Sequence, residues 1–377
     1  MRVKLSDLYD IGSSKRVFQS EWRKSGVPFY RAREIAKLSI DGYVDNELFI
    51  DEDLYLEYID KYGKPEAGDV MVTGVGTLGV CYVVKQEDRF YFKDGNILWF
   101  KQKAKDRILP EYLVKAFDSK DVKEFIDKNS SGTTVGTFTI QTAKKMEISL
   151  PSIEEQRNII QKITKIESVI KQRRQELQLL DDLIKARFVE LFGDPDNNEK
   201  SWDIDKMEHL CEVGSSKRIY QNEQSMEGAP FLRISDLVNR IDTGSKKCDS
   251  YIPIEKFAEL KEQGLVPRPG DILLTARGTL GRCYIVQSDD EFYFQDGMIT
   301  WLSNYDRRIT ALYISYLFEM PGFRKQIDAL QAGSTVAYMS ISMTKKLNII
   351  VPPIELQNQF ADFVKQVDKS KVIKLSN

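Results

Sequence analysis

A short segment that combines hydroxyl groups with cationic side chains occurs twice in the chain. The residues Gly-Ser-Ser-Lys-Arg stand at 12–16 and again at 214–218. Hydroxyl groups and cations both bind phosphate oxygens, and an arginine can also donate hydrogen bonds to a guanine edge. We interpret both segments as candidate nucleic-acid contacts, and a polar loop without a ligand is the alternative. The candidates are Ser13, Ser14, Lys15, Arg16, Ser215, Ser216, Lys217 and Arg218.

A glycine-rich stretch at 74–79 has the spacing of a dinucleotide-binding fingerprint, Gly-x-Gly-x-x-Gly. That fingerprint opens a helix, whereas the β-branched run Val80–Val84 follows here. Its counterpart at 276–281 lacks the first glycine. We therefore predict a tight turn between two strands, which places Thr77 or Thr279 and backbone N–H groups near a ligand.

Two further pairs of motifs supply candidate phosphate contacts, with plain surface as the alternative. Gly-Thr-Thr at 132–134 and Gly-Ser-Thr at 333–335 are each followed by a lysine pair. In the glycine-rich turn, Val75 and Val80 of the first copy correspond to arginines in the second. If this turn faces DNA, the second copy gains guanine or phosphate contacts. These candidates are Thr133, Thr134, Lys144, Ser334, Thr335, Lys345, Arg277 and Arg282.

Motifs of catalysis are absent from the sequence. It contains no P-loop, no Gly-x-Ser-x-Gly, no His-Glu-x-x-His and no Asn-Pro-Pro-Tyr or Asp-Pro-Pro-Tyr string. His209 is the one histidine in the sequence, so the side chain that most often serves as a general base occurs only once. The four cysteines form no Cys-x-x-Cys pair, which argues against a zinc site. We predict a chain without catalytic residues, metal or cofactor of its own.

The motifs above recur because the chain is duplicated. The segment at 68–100 returns at 270–302 with 18 of 33 residues identical, at the same offset of 202 that separates the Gly-Ser-Ser-Lys-Arg segments. This period is too long for a solenoid repeat. A duplicated domain suits a ligand that has two similar halves.

Composition fits a soluble protein with more than one domain. The chain has 377 residues, 42% of them hydrophobic and 30% charged, and a net charge of −2. Charge is nevertheless segregated, since residues 12–37 hold seven basic and two acidic side chains, and residues 41–69 hold ten acidic and two basic. Such segregation allows one positive face. No apolar run reaches membrane-spanning length and no secretory leader is visible, so we expect a cytoplasmic protein without a membrane partner.

The elements that position these motifs are mixed helices and strands. We predict a short helix or strand at Leu5–Ile11, strands at Asp69–Thr73 and Val80–Val84, and an amphipathic helix over Pro110–Ile126. Asp94-Gly95 predicts a hairpin turn between Phe90–Phe92 and Ile97–Phe100.

A long helix separates the two repeats. Glu154–Phe192 contains no glycine or proline. Its candidate core positions alternate steps of four and three residues, which is the heptad pattern of a coiled coil. These positions are Ile159, Ile163, Ile166, Ile170, Arg173, Leu177, Leu180, Ile184, Arg187 and Leu191. Its length is roughly 55–60 Å. Arginines at two of these positions indicate a seam that is hydrated or paired with a partner. A second helix from Glu355 to about Leu375 can pack antiparallel to the first and hold the domains at a fixed spacing.

Taken together, these features resemble the specificity subunits of Type I restriction-modification enzymes. Gly-Asp-x₆-Gly-Thr-Leu-Gly occurs twice, and Gly26–Ile35 and Gly228–Leu237 look like the early target-recognition segment of that family. Leu150–Ile160 and Val351–Phe360 resemble the entry to its conserved helices, and Ala186–Pro195 resembles the end of its central region. The early segments add Arg31, Arg33 and Arg233 to the candidate DNA contacts.

The resemblance implies an α+β fold with two homologous mixed α/β target recognition domains joined by long helices that form an antiparallel coiled coil. We delimit the domains at 1–151 and 196–353, with the central helix at 152–195 and a short distal helix at 354–377. Each domain would read one half of a bipartite, near-palindromic target in double-stranded DNA, and the helices would set the spacer. The distal helix is short for the family, so part of the central helix would lack a partner within the chain.

The family also implies partners. Two modification subunits, which bind S-adenosylmethionine, would dock on the helices, and a restriction subunit would join them, so that ATP and Mg²⁺ act on partner subunits. Self-association through the helices is a further possibility. Two other classes of function stay open at this point: a non-enzymatic adaptor that binds only proteins, and a stand-alone enzyme.

Overall fold

The computed structural model describes the backbone of residues 1–130, 136–329 and 337–376, and side chains as far as Lys371. Two compact units divide the chain, Met1–Lys171 and Gln172–Asn377. A 40-residue helix, α7 (Ile153–Phe192), runs through the division and belongs to both units. No helix in the described ranges is long and apolar enough to cross a membrane.

The two units repeat one order of elements. The first unit contains β1 (Arg2–Lys4), α1 (Leu5–Leu8), β2 (Tyr9–Gly12), β3 (Val27–Tyr30), α2 (Ala32–Asp41), β4 (Phe49–Ile50), α3 (Glu52–Tyr62), β5 (Val70–Thr73), β6 (Cys81–Val83), β7 (Tyr91–Phe92), β8 (Ile97–Gln102), α4 (Pro110–Phe117), α5 (Lys120–Ser130), α6 (Ile140–Lys145) and β9 (Glu147–Ser149) before α7.

The second unit follows the end of α7. It contains β10 (Asp203–Lys206), α8 (Met207–Leu210), β11 (Glu212–Gly214), β12 (Ala229–Leu232), α9 (Ile234–Thr243), β13 (Tyr251–Ile252), α10 (Ile254–Glu262), β14 (Ile272–Thr275), β15 (Cys283–Ile285), β16 (Tyr293–Phe294), β17 (Ile299–Ser303), α11 (Ala311–Leu317), α12 (Pro321–Ala329), α13 (Ile341–Lys345), β18 (Asn348–Val351) and α14 (Ile354–Ser376).

Three small sheets form each unit, with the same strand order in both. In the first unit the orders are β2-β8-β5-β6, β4-β3-β7 and β1-β9, and in the second they are β11-β17-β14-β15, β13-β12-β16 and β10-β18. The central strands β5 and β8 carry Val70, Val72, Leu98 and Phe100 into the core, where they meet α4 and α5. The predicted mixed α and β architecture is confirmed.

Two predictions about local structure are wrong. Phe90–Phe92 and Ile97–Phe100 do not form a hairpin, because β7 pairs in parallel with β3 whereas β8 pairs with β2 and β5 in another sheet. The predicted helix over Pro110–Ile126 is two helices, α4 and α5. The backbone N–H of Lys123 bonds to the carbonyl of Ser119, where the second helix starts. The break lets Phe117 and Ile126 both lie beside Gly79.

The last turns of α7 pair with α14 in antiparallel fashion. The ring of Phe360 lies 5.5 Å from that of Phe188 and 5.6 Å from that of Phe192, while further along α14 Lys371 reaches Asp181 at 2.7 Å. Arg187, a predicted seam position, lies over the ring of Phe363 at 5.8 Å and pairs with Glu190. The predicted antiparallel helix pair is confirmed for this part of α7.

Among the described residues, none covers the middle of α7 in this way. Ile166, Val169 and Ile170 are each about half exposed, and Ile166 and Ile170 are two of the predicted heptad positions. At the start of α7, by contrast, Gln156 is fully buried and its side chain bonds to the carbonyls of Arg107 and Pro151. The expectation that part of the central helix lacks a partner within the chain stays a prediction.

We predict that Phe360→Ala lowers the free energy of unfolding of the second unit by about 3–5 kcal/mol, because the substitution leaves a cavity among the three aromatic rings of Phe188, Phe192 and Tyr316. Urea unfolding measures this change. Leu179→Ala is the matched control on the part of α7 that belongs to the second unit, and its effect should stay within about 0.5 kcal/mol since the side chain is 66% exposed. Equal effects of the two substitutions would contradict the helix pairing.

Candidate nucleic-acid interface

A turn between β7 and β8 organises the candidate residues of the first unit. We call residues 92–97, and their counterparts 294–299, the central turn. The hydroxyl of Ser14 donates to the carbonyl of Phe92 at 2.6 Å, and that of Ser13 donates to the carbonyl of Ile97 at 2.9 Å. Ser13 Oγ also accepts the Gly95 N–H at 3.2 Å. The Gly-Ser-Ser-Lys-Arg segment is thereby fastened onto the central turn.

The second unit repeats this arrangement. Ser216 donates to the carbonyl of Phe294 at 2.6 Å and Ser215 to that of Ile299 at 3.0 Å, while Gly297 N–H lies 3.4 Å from Ser215 Oγ. All four serine hydroxyls therefore have partners in the protein backbone, and this clasp gives them a structural role. Their contact with DNA remains a prediction.

The cations of the segment point outward. Arg16 Nε bonds to Asp94 at 3.2 Å and Arg218 Nε to Asp296 at 2.8 Å, so one carboxylate of each central turn orients the guanidinium. Both arginine side chains are about two-thirds exposed. Lys15 and Lys217 are exposed as well, and their backbone N–H groups bond to the hydroxyls of Tyr91 and Tyr293.

The glycine-rich turn joins the same cluster. We call residues 74–79 and 276–281 the GTLG loop. Its first residue, Gly74, donates to the carbonyl of Asn96 at 2.8 Å, and its carbonyl accepts from Phe138 at 2.9 Å. Ala276 makes the equivalent bonds to Met298 and Met339, both 2.9 Å. The loop is a tight turn between two antiparallel strands, as predicted.

Glycine is required at the end of the GTLG loop. Gly79 has a φ of +75°, and a Cβ there would lie 2.7 Å from Ile126 Cδ1. The loop is also stabilised by Thr73, whose hydroxyl donates to the carbonyl of Thr77 and accepts from Val80 N–H. The side chains of Thr77 and Thr279 are exposed. Their predicted role as ligand contacts is geometrically possible and stays a prediction.

The N-terminus of α2 lies beside the central turn because Lys93 N–H donates to the carbonyl of Tyr30 at 2.8 Å. Arg31 follows directly and holds Glu34 with two hydrogen bonds, at 2.8 and 3.1 Å. Arg33 contacts Glu34 and Glu47. The charges of both candidate arginines are thus compensated by carboxylates.

Their counterpart in the second unit is placed differently. Arg233 is exposed, and its guanidinium lies 3.5 Å from the side-chain oxygen of Gln224. Asp236, which replaces Glu34, accepts the Arg233 backbone N–H at 2.8 Å. Arg233 is therefore a more accessible cation than Arg31.

Arg277 in the second GTLG loop and Arg282 directly after it, which replace valines of the first copy, differ in whether their charge is paired. Arg282 forms an ion pair with Asp242, so its charge is neutralised within the unit. Arg277 is exposed, and its guanidinium lies 3.9 Å from Met298 Sδ at the central turn. Of the two, Arg277 is the better placed to bind an external anion or base.

The remaining candidates fall into two groups. Lys144, at the end of α6, is exposed, and Lys345, at the end of α13, lines a cleft of about 550 Å³ with Ser215, Arg268 and Trp301. The first unit covers the equivalent tryptophan, Trp99, with Lys101, whose Nζ lies 3.8 Å from the ring centroid. Thr133, Thr134, Ser334 and Thr335 lie outside the described residues.

Sequence reasoning missed the central turn, although its signal was present. Phe-Tyr-Phe-x-Asp-Gly recurs in both repeats, and its aspartate and tyrosine hold the Gly-Ser-Ser-Lys-Arg segment. We interpreted Asp-Gly as a hairpin signal, which concealed this role. In the described residues, no group of three or more His, Cys, Asp or Glu side chains is placed to hold a metal ion.

The Gly-Ser-Ser-Lys-Arg segment, the central turn and the GTLG loop form the same loop cluster in both units. The chain therefore contains two equivalent domains. A family model described as the Type I restriction modification DNA specificity domain matches residues 1–179 and 199–376. The chain belongs to this family and carries its domain twice. The resemblance seen in the sequence is confirmed.

Curated relatives agree with this assignment. The chain is 30% identical over 173 residues to a putative type I restriction enzyme specificity subunit from Haemophilus influenzae, an alignment that covers 44% of this chain and 42% of that protein. It is 23% identical over 317 residues to the MjaIX specificity subunit of Methanocaldococcus jannaschii, covering 79% and 70%. Against the EcoBI specificity subunit of Escherichia coli the identity is 21%, covering 98% and 78%.

Solved structures show the same fold. The S subunit of a Type I restriction-modification system from M. genitalium matches with a TM-score of 0.55 at 14% identity, covering all of this chain and 91% of that one. A structure from work on complex assembly and conformational transition of the type I R-M system matches with a TM-score of 0.53 at 15% identity, covering 100% and 92%.

The ion pairs of Glu34 with Arg31 and Arg33 predict that the stability of the first unit depends on pH. Burial acts to raise the pKa of Glu34, but hydrogen bonds from Arg31 and Arg33 outweigh it and lower the pKa below its ordinary value. The ionised carboxylate therefore stabilises the fold above its unfolded pKa, and this contribution disappears as the pH falls through the folded pKa.

We expect Glu34→Gln to destabilise the unit by about 1–3 kcal/mol at pH 7 and by progressively less toward pH 3.5, measured by urea unfolding. Glu57→Gln removes a partner from an exposed ion pair with Lys61 and serves as the control, with an effect within about 0.5 kcal/mol throughout. A difference between wild type and Glu34→Gln that is constant with pH would refute the role of this carboxylate.

Proposed function

We propose that the chain is the DNA sequence-specificity subunit of a Type I restriction-modification complex, in which each unit binds one half of a bipartite target. The observation that carries this proposal is the duplicated loop cluster. The same serine clasp, the same Asp–Arg pair and the same GTLG loop occur in both units, each time beside exposed cations. A duplex with two similar half-sites is a ligand of matching symmetry.

Within each cluster the residues have different tasks. Exposed lysines and arginines such as Lys15 and Arg16 would bind phosphates and so position the unit on the duplex. Base recognition would come from donors at the loops, among them the exposed Arg277 in the second unit. Thr77, Thr279, Lys144 and Lys345, together with the four hydroxyl residues outside the described ranges, remain candidate contacts.

The helices would serve assembly. The exposed apolar residues Ile166, Val169 and Ile170 on α7 are the kind of surface that a modification subunit covers in a stable complex. On this proposal the chain contributes no catalytic group. Methyl transfer with S-adenosylmethionine, and the ATP- and Mg²⁺-dependent steps of a restriction subunit, belong to the partner subunits. Pairing of two copies through α7 is the competing occupant of this surface.

We expect methylation-site mapping of the source cell to return an interrupted target with two similar half-sites in inverted orientation, because two homologous domains should read similar sequences. Single-molecule sequencing before and after deletion of the gene identifies the sites that depend on this chain. Two unrelated half-sites would defeat the near-palindromic prediction. Absence of any chain-dependent site, together with no retention of DNA by the complex, would favour a protein-binding adaptor.

We expect Lys15→Ala combined with Arg16→Ala to weaken DNA binding through the salt-dependent term, reducing the slope of log affinity against log salt by about 1–2. Fluorescence anisotropy with duplex DNA at several salt concentrations measures this slope. Lys103→Ala with Lys105→Ala is the matched control, since these exposed lysines follow the far end of β8, away from the central turn. An unchanged slope in the Lys15/Arg16 variant would place these side chains off the DNA.

A further inference from the structure

An exposed aromatic residue follows the cations in both copies. Phe18 and Tyr220 come two residues after Arg16 and Arg218, at the same offset of 202 that relates the repeats. Their relative exposures are 60% and 61%. In the described ranges no other pair of exposed large apolar residues occupies equivalent positions of the two repeats.

The backbone around these rings is fixed. The preceding residues, Val17 and Ile219, are 6% and 7% exposed and anchor the segment in the cores of their units. Phe18 has an extended conformation, in which successive side chains point to opposite sides, so burial of Val17 turns Phe18 outward. Arg16, which precedes the buried Val17, is exposed as well, so the cation and the ring flank the same buried residue.

A second restraint holds the aromatic residue from the other direction. Glu21 accepts the Phe18 backbone N–H at 2.6 Å, and Glu223 accepts that of Tyr220 at 2.9 Å. Each glutamate ends a short 3-10 helix, Gln19–Glu21 or Gln221–Glu223, that begins directly after the ring. The projecting position is thus built by a buried anchor on one side and a capped helix on the other.

Exposed apolar side chains are common and scattered ones need no explanation. Met226 is 95% exposed, for example, and its counterpart in the first copy is Lys24, so nothing retains an apolar group there. At Phe18 and Tyr220 the aromatic ring is retained in both copies although it packs against little of its own unit. The retained ring therefore points to an external apolar contact beside the cations.

Resting on the DNA-binding function proposed above, we propose that Phe18 and Tyr220 are further DNA-contacting residues. Each ring packs against apolar groove atoms of its half-site, namely thymine methyl groups and deoxyribose carbons, while the neighbouring lysine and arginine hold the phosphates. Because the first copy has phenylalanine, the ring and not the hydroxyl of Tyr220 carries the contact. An apolar contact releases no counterions, which separates it from the contacts of Lys15 and Arg16.

The test uses the chain assembled with its modification subunits and a duplex carrying the mapped methylation site, with a scrambled duplex for comparison. We expect Phe18→Ala and Tyr220→Ala each to lower affinity for the mapped site about ten-fold, with the slope of log affinity against log salt unchanged. Tyr220→Phe should bind as the wild type does. Met226→Ala, which removes a still more exposed apolar side chain from the same region of the second repeat, should also leave affinity unchanged.

Wild-type affinity in Phe18→Ala and Tyr220→Ala would overturn the proposal. A loss of affinity accompanied by the reduced slope of the Lys15/Arg16 variant would overturn it as well, because the ring would then act only by positioning the cations. Urea midpoints equal to the wild type show that the variants are folded. If the wild-type complex itself fails to prefer the mapped site over the scrambled duplex, the proposed function fails, and the two failures are thereby distinguished.

Discussion

The hydrogen bonds of the central turn are the constraint on which both recognition surfaces depend. This turn connects strands of two different sheets, and its backbone carbonyls accept from the two serine hydroxyls and from the first residue of the GTLG loop. The turn thus fixes the Gly-Ser-Ser-Lys-Arg segment and the GTLG loop, which are far apart in sequence. Because buried or half-buried backbone groups must find partners, the serines satisfy the turn at the same time as the turn positions the cations that follow them.

This arrangement explains why motifs that look like ligand contacts in the sequence have more than one role. Hydroxyl residues beside cations suggest phosphate binding, yet the serine hydroxyls donate their hydrogen bonds to backbone carbonyls of the protein. Arg16 and Arg218 each form an ion pair with one carboxylate of the central turn, Asp94 or Asp296, and their side chains still stay about two-thirds exposed. Arg31 and Arg282 also pair with carboxylates, but their side chains are only about one-quarter exposed, and Arg33 contacts two carboxylates.

Much of the fold could be predicted because it rests on local pattern. The heptad spacing identified α7, and the glycine-rich turn was recognised because a β-branched run follows it. The hairpin at Asp94-Gly95 was predicted wrongly because turn chemistry is local, whereas the choice of strand partner depends on β3 and β5, which are distant in sequence. The break between α4 and α5 was missed for a similar reason, since Gly79 supplies the surface onto which both helices fold. The ion pairs of the candidate arginines could not be predicted from the sequence either, because only folding brings Glu47 to Arg33 and Asp242 to Arg282.

The tryptophan beneath Lys101 shows how far the two copies have separated since duplication. Trp99 and Trp301 occupy the same strand position, and each donates its indole N–H to an aspartate, Asp69 or Asp271. In the first unit Lys101 lies over the ring, whereas in the second unit Ser303 occupies the equivalent position and lines a cleft together with Trp301. The strand register beneath the ring is the same in both units, so the two copies differ in the side chain that stands above it. The two copies of the domain have thus diverged on their surfaces over an unchanged framework of strands.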